Sequence, residues 1–254
     1  MIIKKNVLVF CDDSEEHSID LARIIEKSKY FKIKVIIVKK KTQNKKFLKK
    51  INFIKNKNNI FFENYPHKNK KITLLIQKYK INTGFVFSYQ FKLKELFLKK
   101  FDFGLINFHP GFLPDVKGSH SSFWSIYTKK NIGCSMHFMN NKIDSGKIID
   151  VYKINIKGII LADKVFYLTR EKMKILLKRN LKKIYEEKII KLINPKTKIY
   201  YKKDILKAIN LDFNKTIKIS KLFDLIRSTH INNHGIFFND RKKKYKLISN
   251  LKVI

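Results

Sequence analysis

The residues best suited to chemistry lie in one short segment and one later turn. Asn107 and His109 stand two apart at the end of the apolar run Gly104–Phe108, so on a strand their side chains project from the same side. Asp144 follows in a polar turn, from which a carboxylate can meet an imidazole. Amide and ring N–H groups can donate to an oxyanion, and a carboxylate can accept a proton. The set is therefore a candidate catalytic site.

Strands that end at these residues would bring them to one edge of a sheet. In the first half of the chain, short β-branched or aromatic runs alternate with amphipathic stretches, the pattern of a mostly parallel sheet with crossover helices. Such sheets place ligand sites outside the carboxyl ends of their strands. We therefore expect an α/β fold with a Rossmann-like, mostly parallel sheet. The predicted strands are Val7–Cys11, Ile33–Val38, Gly84–Ser88 and Gly104–Phe108.

Helical spacing of apolar residues predicts the elements around this sheet. Helices are expected through residues 19–25, as a basic surface helix within 39–59, at 72–79, and from 162 to about 187. Two further strands, Gly133–Met139 and Ile148–Tyr152, are separated by a polar turn and are predicted to pair as a hairpin. Asp144 lies between them, so this hairpin is the element that positions the carboxylate.

The segment Asn194-Pro195-Lys196 is the best domain boundary, because proline stops helices and polar residues surround it. We predict a catalytic domain over residues 1–193 and a small α+β module over 194–254. In the module, a helix is expected at 220–228 and two strands at 235–238 and 244–248, joined by the turn 239–241.

The charge of the chain is extreme: 57 basic against 20 acidic residues give a net charge of +37. Clustered Lys and Arg would indicate a polyanionic partner. Here the lysines are scattered along the chain with abundant Ile, Asn and Phe, which favours the codon bias of an AT-rich genome over a nucleic-acid surface. A non-catalytic, basic RNA-binding protein is kept as an alternative. The charge should still attract a phosphate-bearing substrate.

Other residues that could do chemistry lack partners in the sequence. Cys11 and Cys134 lie in apolar runs without metal or disulfide spacing, which predicts a reduced, cytoplasmic protein. His230 and His234 have no further ligand nearby, and His137 is interpreted as a packing residue of its strand, so no metal is predicted. Signal-peptide and membrane-span patterns are absent, as are dinucleotide and P-loop glycine motifs. No membrane partner, oxidoreductase or kinase is therefore expected.

The ordered motif resembles that of the folate-dependent formyltransferases, which include methionyl-tRNA formyltransferase, glycinamide ribonucleotide formyltransferase and the sugar N-formyltransferases. Their pattern is Asn-x-His-Pro, a Leu-Pro, a later Gly and an Asp-x-Gly turn. The matching residues are Asn107, His109, Pro110, Leu113, Pro114, Gly118, Asp144 and Gly146. The likeness is best over roughly residues 80 to 155. It implies 10-formyltetrahydrofolate as formyl donor and an amine as acceptor, without a metal or a covalent intermediate.

The resemblance also implies roles for individual residues. Asn107 and His109 would donate to the oxyanion that forms when the amine attacks the formyl carbonyl. Asp144 would orient His109 and accept the proton of the amine, directly or through a water. The expected folate contacts are Phe87, Ser88, Tyr89, Asn140 and Ile143.

The tRNA, glycinamide ribonucleotide and sugar enzymes of this family differ in the acceptor of the formyl group. About sixty residues follow the boundary, too few for the barrel of the tRNA enzyme, and the loop Asp115–Trp124 lacks the expected Arg. Cys11–Ser14 contains no glycine, which disfavours the phosphate loop of the glycinamide ribonucleotide enzyme. A sugar N-formyltransferase is therefore favoured, with methionyl-tRNA formyltransferase as the alternative.

For such an enzyme the resemblance implies a nucleotide-linked amino sugar as acceptor, in particular a dTDP-4-amino-4,6-dideoxyhexose. It also implies a homodimer and a role in surface-polysaccharide synthesis, with nucleic acid not expected as a partner. The candidate acceptor contacts are Gly111, Lys117, Gly118, His120, Trp124 and Arg227.

Overall fold

The computed structural model of the chain describes residues 2–12, 16–39, 49–51, 59–190, 192–212, 214–229, 235–240 and 243–247. The strands are β1 Lys5–Asp12, β2 Phe31–Lys39, β3 Ile60–Phe62, β4 Thr83–Phe87, β5 Gly104–His109, β6 Lys117–Gly118, β7 Gly133–Phe138, β8 Ile148–Lys153, β9 Ile199–Tyr200, β10 Asn210–Asp212, β11 Ile236–Asp240 and β12 Lys243–Leu247. The helices are α1 Glu16–Lys27, α2 Lys70–Lys78, α3 Glu95–Leu98, α4 Ser121–Tyr127, α5 Ala162–Tyr185, α6 Lys202–Ile209 and α7 Ile219–Thr229, with a 3₁₀ helix at Pro66–Lys68.

A seven-stranded sheet carries the candidate catalytic residues. Its strand order is β3-β2-β1-β4-β5-β7-β8. The strands from β3 to β5 pair in parallel, whereas β7 runs antiparallel to β5. The predicted mostly parallel α/β sheet is confirmed, and so is the adjacency of the two hairpin strands β7 and β8.

Apolar side chains cover both faces of the central strands. All five residues of β4 are buried, and β1 is buried from Val7 to Asp12, as expected of parallel strands enclosed by helices. On α1, the buried apolar residues Ile19, Leu21, Ala22 and Ile25 form one face, because helical spacing places such positions on the same side. These contacts fix the strands whose carboxyl ends carry the site.

The chain divides into two compact units. Unit 1 comprises Met1–His109, Ser135–Val151 and Met173–Asn194, and unit 2 comprises Pro110–Cys134, Tyr152–Lys172 and Pro195–Ile254. The structural boundary after Asn194 lies one residue from the predicted one at 193/194, but unit 2 also takes in two segments from the first part of the chain. The functional division at 193/194 stays a prediction.

Unit 2 contains the small C-terminal module, which the sequence predicted in part. Strand β11 pairs in parallel with β10 and antiparallel with β12, and β6 pairs with β9. Its apolar cluster is formed by Val116, Phe123, Trp124, Tyr200, Ile205, Ile209, Leu225 and Ile236. The predicted turn at 239–241 is corrected in part, since Asn239 and Asp240 belong to β11 and Arg241 lies outside the described residues.

Several predicted features cannot be compared with the structure. The basic helix within 39–59 falls almost entirely outside the described residues, as do His230 and His234. In the part of the chain that is described, no helix is long and apolar enough to cross a membrane.

Candidate active site

Strand β5 ends at the two residues that open the motif. Asn107 and His109 stand on the same side of β5, and the neighbouring strand β7 places His137 directly opposite Asn107. His109 and His137 are both buried, with 4% and 2% exposed. The structure therefore brings a third polar side chain, His137, to the pair that the sequence predicted.

The hydrogen bonds of His137 fix its orientation. Its Nδ1 lies 2.8 Å from the Phe138 carbonyl, and because a carbonyl only accepts, Nδ1 carries the proton. Its Nε2 lies 3.0 Å from Asn107 Nδ2, which donates to it in the tautomer protonated at Nδ1 alone. His137 therefore holds the Asn107 amide, and its interpretation as a packing residue is corrected. Its place follows from the antiparallel register of β5 and β7, which pairs this histidine with Asn107.

Asp144 completes the cluster from the turn between β7 and β8. Its Oδ2 lies 3.3 Å from His109 Nδ1, and its Oδ1 lies 3.4 Å from both Asn107 Nδ2 and His137 Nε2. The Asp144 side chain is 12% exposed. A carboxylate enclosed in this way interacts strongly with the imidazole beside it, because little water screens the pair. The geometry thus joins the three predicted catalytic residues in one site.

The arrangement has a defined chemical capability. A carboxylate at Nδ1 favours a His109 tautomer with that nitrogen protonated and can stabilise positive charge on the ring. Both hydrogens of Asn107 Nδ2 point to protein acceptors, His137 and Asp144. The contact with Asp144 is the longer of the two and therefore the weaker. It is the contact that would yield if the amide turned to a substrate oxygen.

The backbone of the turn is tightly constrained around Asp144. Asp144 has a φ of +43°, in the left-handed region that most residues avoid. Gly146 approaches the end of the preceding strand, β7, so closely that a Cβ would lie 1.7 Å from the Phe138 carbonyl oxygen. The Asp-x-Gly motif thus has a steric origin at its glycine.

We expect Gly146→Ala to damage both stability and turnover. Relieving the overlap with the Phe138 carbonyl requires the turn to open, which should cost about 3 kcal/mol of unfolding free energy. Displacing Asp144 should slow turnover by about a hundredfold. Chemical denaturation and steady-state kinetics measure the two effects, with Lys147→Ala at the exposed neighbouring position as control. Wild-type values for both would show that the turn tolerates a Cβ.

The predicted folate contacts fall into two groups. Phe87 and Tyr89 are core residues, 1% and 8% exposed; the Tyr89 hydroxyl donates to the Glu63 carbonyl at 2.7 Å, and burial raises the pKa of that hydroxyl. Between them, Ser88 has a φ of +58°, and its hydroxyl lies 2.9 Å from His17 Nε2. The side chains of Phe87 and Tyr89 therefore act in packing.

The second group lies on the catalytic turn. Asn140 is exposed and accepts a hydrogen bond from the Lys142 amide at 2.9 Å. Ile143 is 44% exposed, although it directly precedes the enclosed Asp144. An exposed apolar side chain beside a polar cluster suits a ligand with an aromatic ring system and a reactive polar end. Asn140 and Ile143 therefore remain candidate folate contacts.

Lys117 and Gly118, proposed as acceptor contacts, have structural roles in unit 2. Lys117 is 1% exposed, and its ammonium donates to the Pro195 carbonyl at 2.7 Å. Gly118 has a φ of +94°, and a Cβ would lie 2.1 Å from the Tyr200 carbonyl oxygen. These contacts do not support the prediction that the Lys117 ammonium binds a diphosphate.

The remaining acceptor candidates also belong to unit 2. Arg227 donates to Asp224 Oδ1 through Nε and one terminal nitrogen, at 3.0 and 2.8 Å. Trp124 is 4% exposed and stacks on Tyr200 with ring centroids 4.2 Å apart. These two side chains therefore act within their own unit, and their contact with an acceptor gains no support. Gly111 is buried, and His120 adopts a φ of +58° just before α4.

Two further reactive side chains, Cys11 and Asp12, have environments that do not indicate a role in the reaction. Burial raises the pKa of the Cys11 thiol to about 12, so it is a poor nucleophile near neutral pH. Asp12 is fully buried and paired with Lys39 at 3.0 Å. Among the described residues, no group of three or more His, Cys, Asp or Glu side chains is arranged to hold a metal ion.

Comparisons with known proteins relate the chain to others by sequence and by fold. The human trifunctional purine biosynthetic protein adenosine-3 is 27% identical over 93 residues, a stretch that covers 36% of this chain and 9% of the human protein. Two solved structures share a TM-score of 0.80 and cover 98% of this chain and 99% of their own: a sugar N-formyltransferase from Shewanella sp. FDAARGOS_354, 16% identical, and a 4-N formyltransferase from Francisella tularensis, 21% identical.

A third structure includes ligands. The N-formyltransferase from Helicobacter canadensis, in complex with folinic acid and dTDP-3-aminofucose, has a TM-score of 0.66 and 18% identity over 95% of this chain and 85% of that one. At these identities the structural likeness concerns the fold. The sequence itself matches the formyl transferase family over residues 2–177, which contain Asn107, His109, His137 and Asp144. The chain belongs to the folate-dependent formyltransferases, enzymes whose formyl donor is 10-formyltetrahydrofolate.

Proposed function

We propose that this chain transfers the formyl group of 10-formyltetrahydrofolate to the amine of a nucleotide-linked amino sugar, specifically a dTDP-4-amino-4,6-dideoxyhexose. The observation that carries the chemistry is the contact of Asp144 with both His109 and Asn107. Fold-level similarity to sugar N-formyltransferases supports the class of acceptor. The dTDP-amino sugar bound by the Helicobacter canadensis protein supports the nucleotide.

In the proposed mechanism, two side chains act on the formyl oxygen and a third acts on the attacking amine. Asn107 donates to the oxygen of the formyl carbonyl, where negative charge develops as the amine adds, and His109 donates there through Nε2 when both of its ring nitrogens carry a proton. Asp144 holds the His109 ring and accepts the proton that the amine must lose, directly or through a water. The tetrahedral adduct then collapses, the bond between the formyl carbon and N10 of the folate breaks, and the proton passes to N10, so that tetrahydrofolate leaves. His137 keeps the Asn107 amide facing the site through their 3.0 Å contact. The groups are placed before the reaction begins, so little reorganisation is required.

The charge of the chain is consistent with an anionic acceptor. A net charge of +37 raises the local concentration of a nucleoside diphosphate at the surface and speeds its association. Because Lys117 and Arg227 are bonded within unit 2, the phosphate contacts are proposed to come from other basic side chains. Gly111 and His120 remain proposed acceptor contacts, and the homodimer, the cytoplasmic location and the role in surface-polysaccharide synthesis remain predictions.

The test is formyl transfer to a panel of acceptors, read by product mass. The purified chain is incubated with 10-formyltetrahydrofolate and dTDP-linked 3-amino and 4-amino dideoxyhexoses, their UDP-linked counterparts, or aminoacylated initiator tRNA. We expect one formyl group to be added to a dTDP-4-amino sugar, with the matching 4-hydroxy sugar left unchanged as control. Transfer to the tRNA alone would replace the proposed acceptor but retain the reaction. Salt-sensitive RNA binding without transfer to any acceptor would support the binding-protein alternative.

A further inference from the structure

The turn that presents Asp144 is held by a side chain from a distant part of the sequence. Leu192 forms two backbone hydrogen bonds with Ile148 at the start of β8, of 2.8 and 3.0 Å. This bridge leads the chain past the turn, and Asn194 follows it two residues later. The amide of Asn194 therefore reaches the turn from outside the hairpin, although fifty residues separate it from Asp144.

Asn194 uses a single atom to join both ends of the Asp-x-Gly segment. Its Nδ2 donates to the carbonyl oxygens of Asp144 and Gly146, each at 2.9 Å. An amide nitrogen has two hydrogens, and each has one acceptor here. Asn194 Oδ1 is buried and has no hydrogen-bond partner among the described residues. The contribution of Asn194 is thus the donor pair directed at the turn.

Those bonds restrain the backbone on either side of Ser145. Asp144 has a left-handed φ of +43°, a conformation that persists only where surrounding contacts enforce it. The Asp144 carbonyl is tied to Asn194, while its carboxylate meets His109 at 3.3 Å. A change in the backbone at Asp144 would move the carboxylate away from the imidazole, and displacements of this kind reduce catalysis strongly.

We propose that Asn194 is a positioning residue, which holds the Asp144 turn in the geometry that the reaction requires. The proposal rests on the proposed function, since it assigns the effect of Asn194 to the carboxylate of Asp144. Asn194 touches no reacting atom in this account. It differs from a residue that only stabilises the fold in one respect: its effect on turnover depends on the presence of the Asp144 carboxylate.

The first measurement reports on the mobility of the turn and requires no acceptor. Asn194→Leu keeps the size and branching of the side chain and removes both donors. Amide hydrogen exchange of a peptide covering 139–148 should become at least about tenfold faster in this variant, because its restraints are lost. The control is Asn59→Leu, which removes a buried amide that donates to the Lys34 carbonyl at 2.9 Å in the same unit. Unchanged exchange in the turn would overturn the proposal.

The second measurement is a double-mutant cycle with Asp144→Asn, using 10-formyltetrahydrofolate and dTDP-4-amino-4,6-dideoxyglucose or the acceptor that the panel identifies. Asn194→Leu alone should lower kcat by about a hundredfold. In the Asp144→Asn background the same change should lower it less than about threefold, because the carboxylate that it positions is gone. Full losses in both backgrounds would show a merely structural role and overturn the proposal.

The two measurements separate failure of this inference from failure of the proposed function. If Asp144→Asn transfers formyl groups at the wild-type rate, the catalytic role of Asp144 is wrong, and the positioning role fails with it. If Asp144→Asn is slow while Asn194→Leu is as fast as the wild type, only the inference about Asn194 is wrong. Faster amide exchange in the turn, together with a small effect of Asn194→Leu on kcat in the Asp144→Asn background, supports both.

Discussion

Asp144→Asn is expected to lower the turnover of formyl transfer by about a thousandfold while leaving folate binding nearly intact. Asparagine has the shape of aspartate, so the turn and the Asn194 bonds to its backbone can persist. The amide is not a proton acceptor at neutral pH, and its nitrogen cannot accept the hydrogen bond from His109. The change therefore removes the proton acceptor, while the amide oxygen can still accept the hydrogen bond from His109.

The measurement combines kcat with the Kd of 5-formyltetrahydrofolate from titration calorimetry. The control is Asp102→Asn, which neutralises an exposed carboxylate of the same unit near the start of β5. We expect the control to keep wild-type turnover. If Asp144→Asn also turns over at a near-normal rate, Asp144 is not the proton acceptor.

The second large effect is expected on stability, from Lys39→Met. Lys39 donates to Asp12 at 3.0 Å and to Gln90 at 3.2 Å, at the carboxyl ends of β1 and β2. The Asp12 side chain is fully buried, and that of Lys39 is 10% exposed. Removing one partner of a buried ion pair leaves an uncompensated charge, which typically costs about 3–5 kcal/mol. We expect a loss of this size in the free energy of unfolding by urea.

Two further variants make the test specific. Lys32→Met changes an exposed lysine of the same strand and should alter the unfolding free energy by less than about 0.5 kcal/mol. Asp12→Leu combined with Lys39→Met removes both charges and should recover most of the loss, since apolar replacement of a buried pair is often neutral. Equal stability of Lys39→Met and Lys32→Met would show that the pair contributes little.

The central sheet could be predicted because its signals are local. The apolar runs of β1, β2 and β4 are buried almost throughout, so sequence alone locates them. Helix α4 gave no such signal, since six of its seven residues are buried and no polar face reveals a helical period. Strands β6 and β9 contain two residues each, which is too short for any periodicity. Such elements depend on tertiary contacts.

In the site, too, local sequence signals predicted some residues, whereas long-range contacts determine the roles of others. Asn107, His109 and Asp144 were predicted from their order and spacing, and the structure brings them together. His137 acquires its role through strand register, and Asn194 through a contact across fifty residues. Arg227 was a candidate for the acceptor because of its charge, but sequence does not show that Asp224 neutralises it three residues away.

The most direct test of the account follows a ¹³C-labelled formyl group from 10-formyltetrahydrofolate to dTDP-4-amino-4,6-dideoxyglucose, with the wild type and Asp144→Asn measured side by side. We expect a labelled formamide on the sugar with the wild type, and formation slowed about a thousandfold in the variant. Equal rates of labelled product from both proteins would contradict the assignment of the reaction to the Asn107, His109 and Asp144 site.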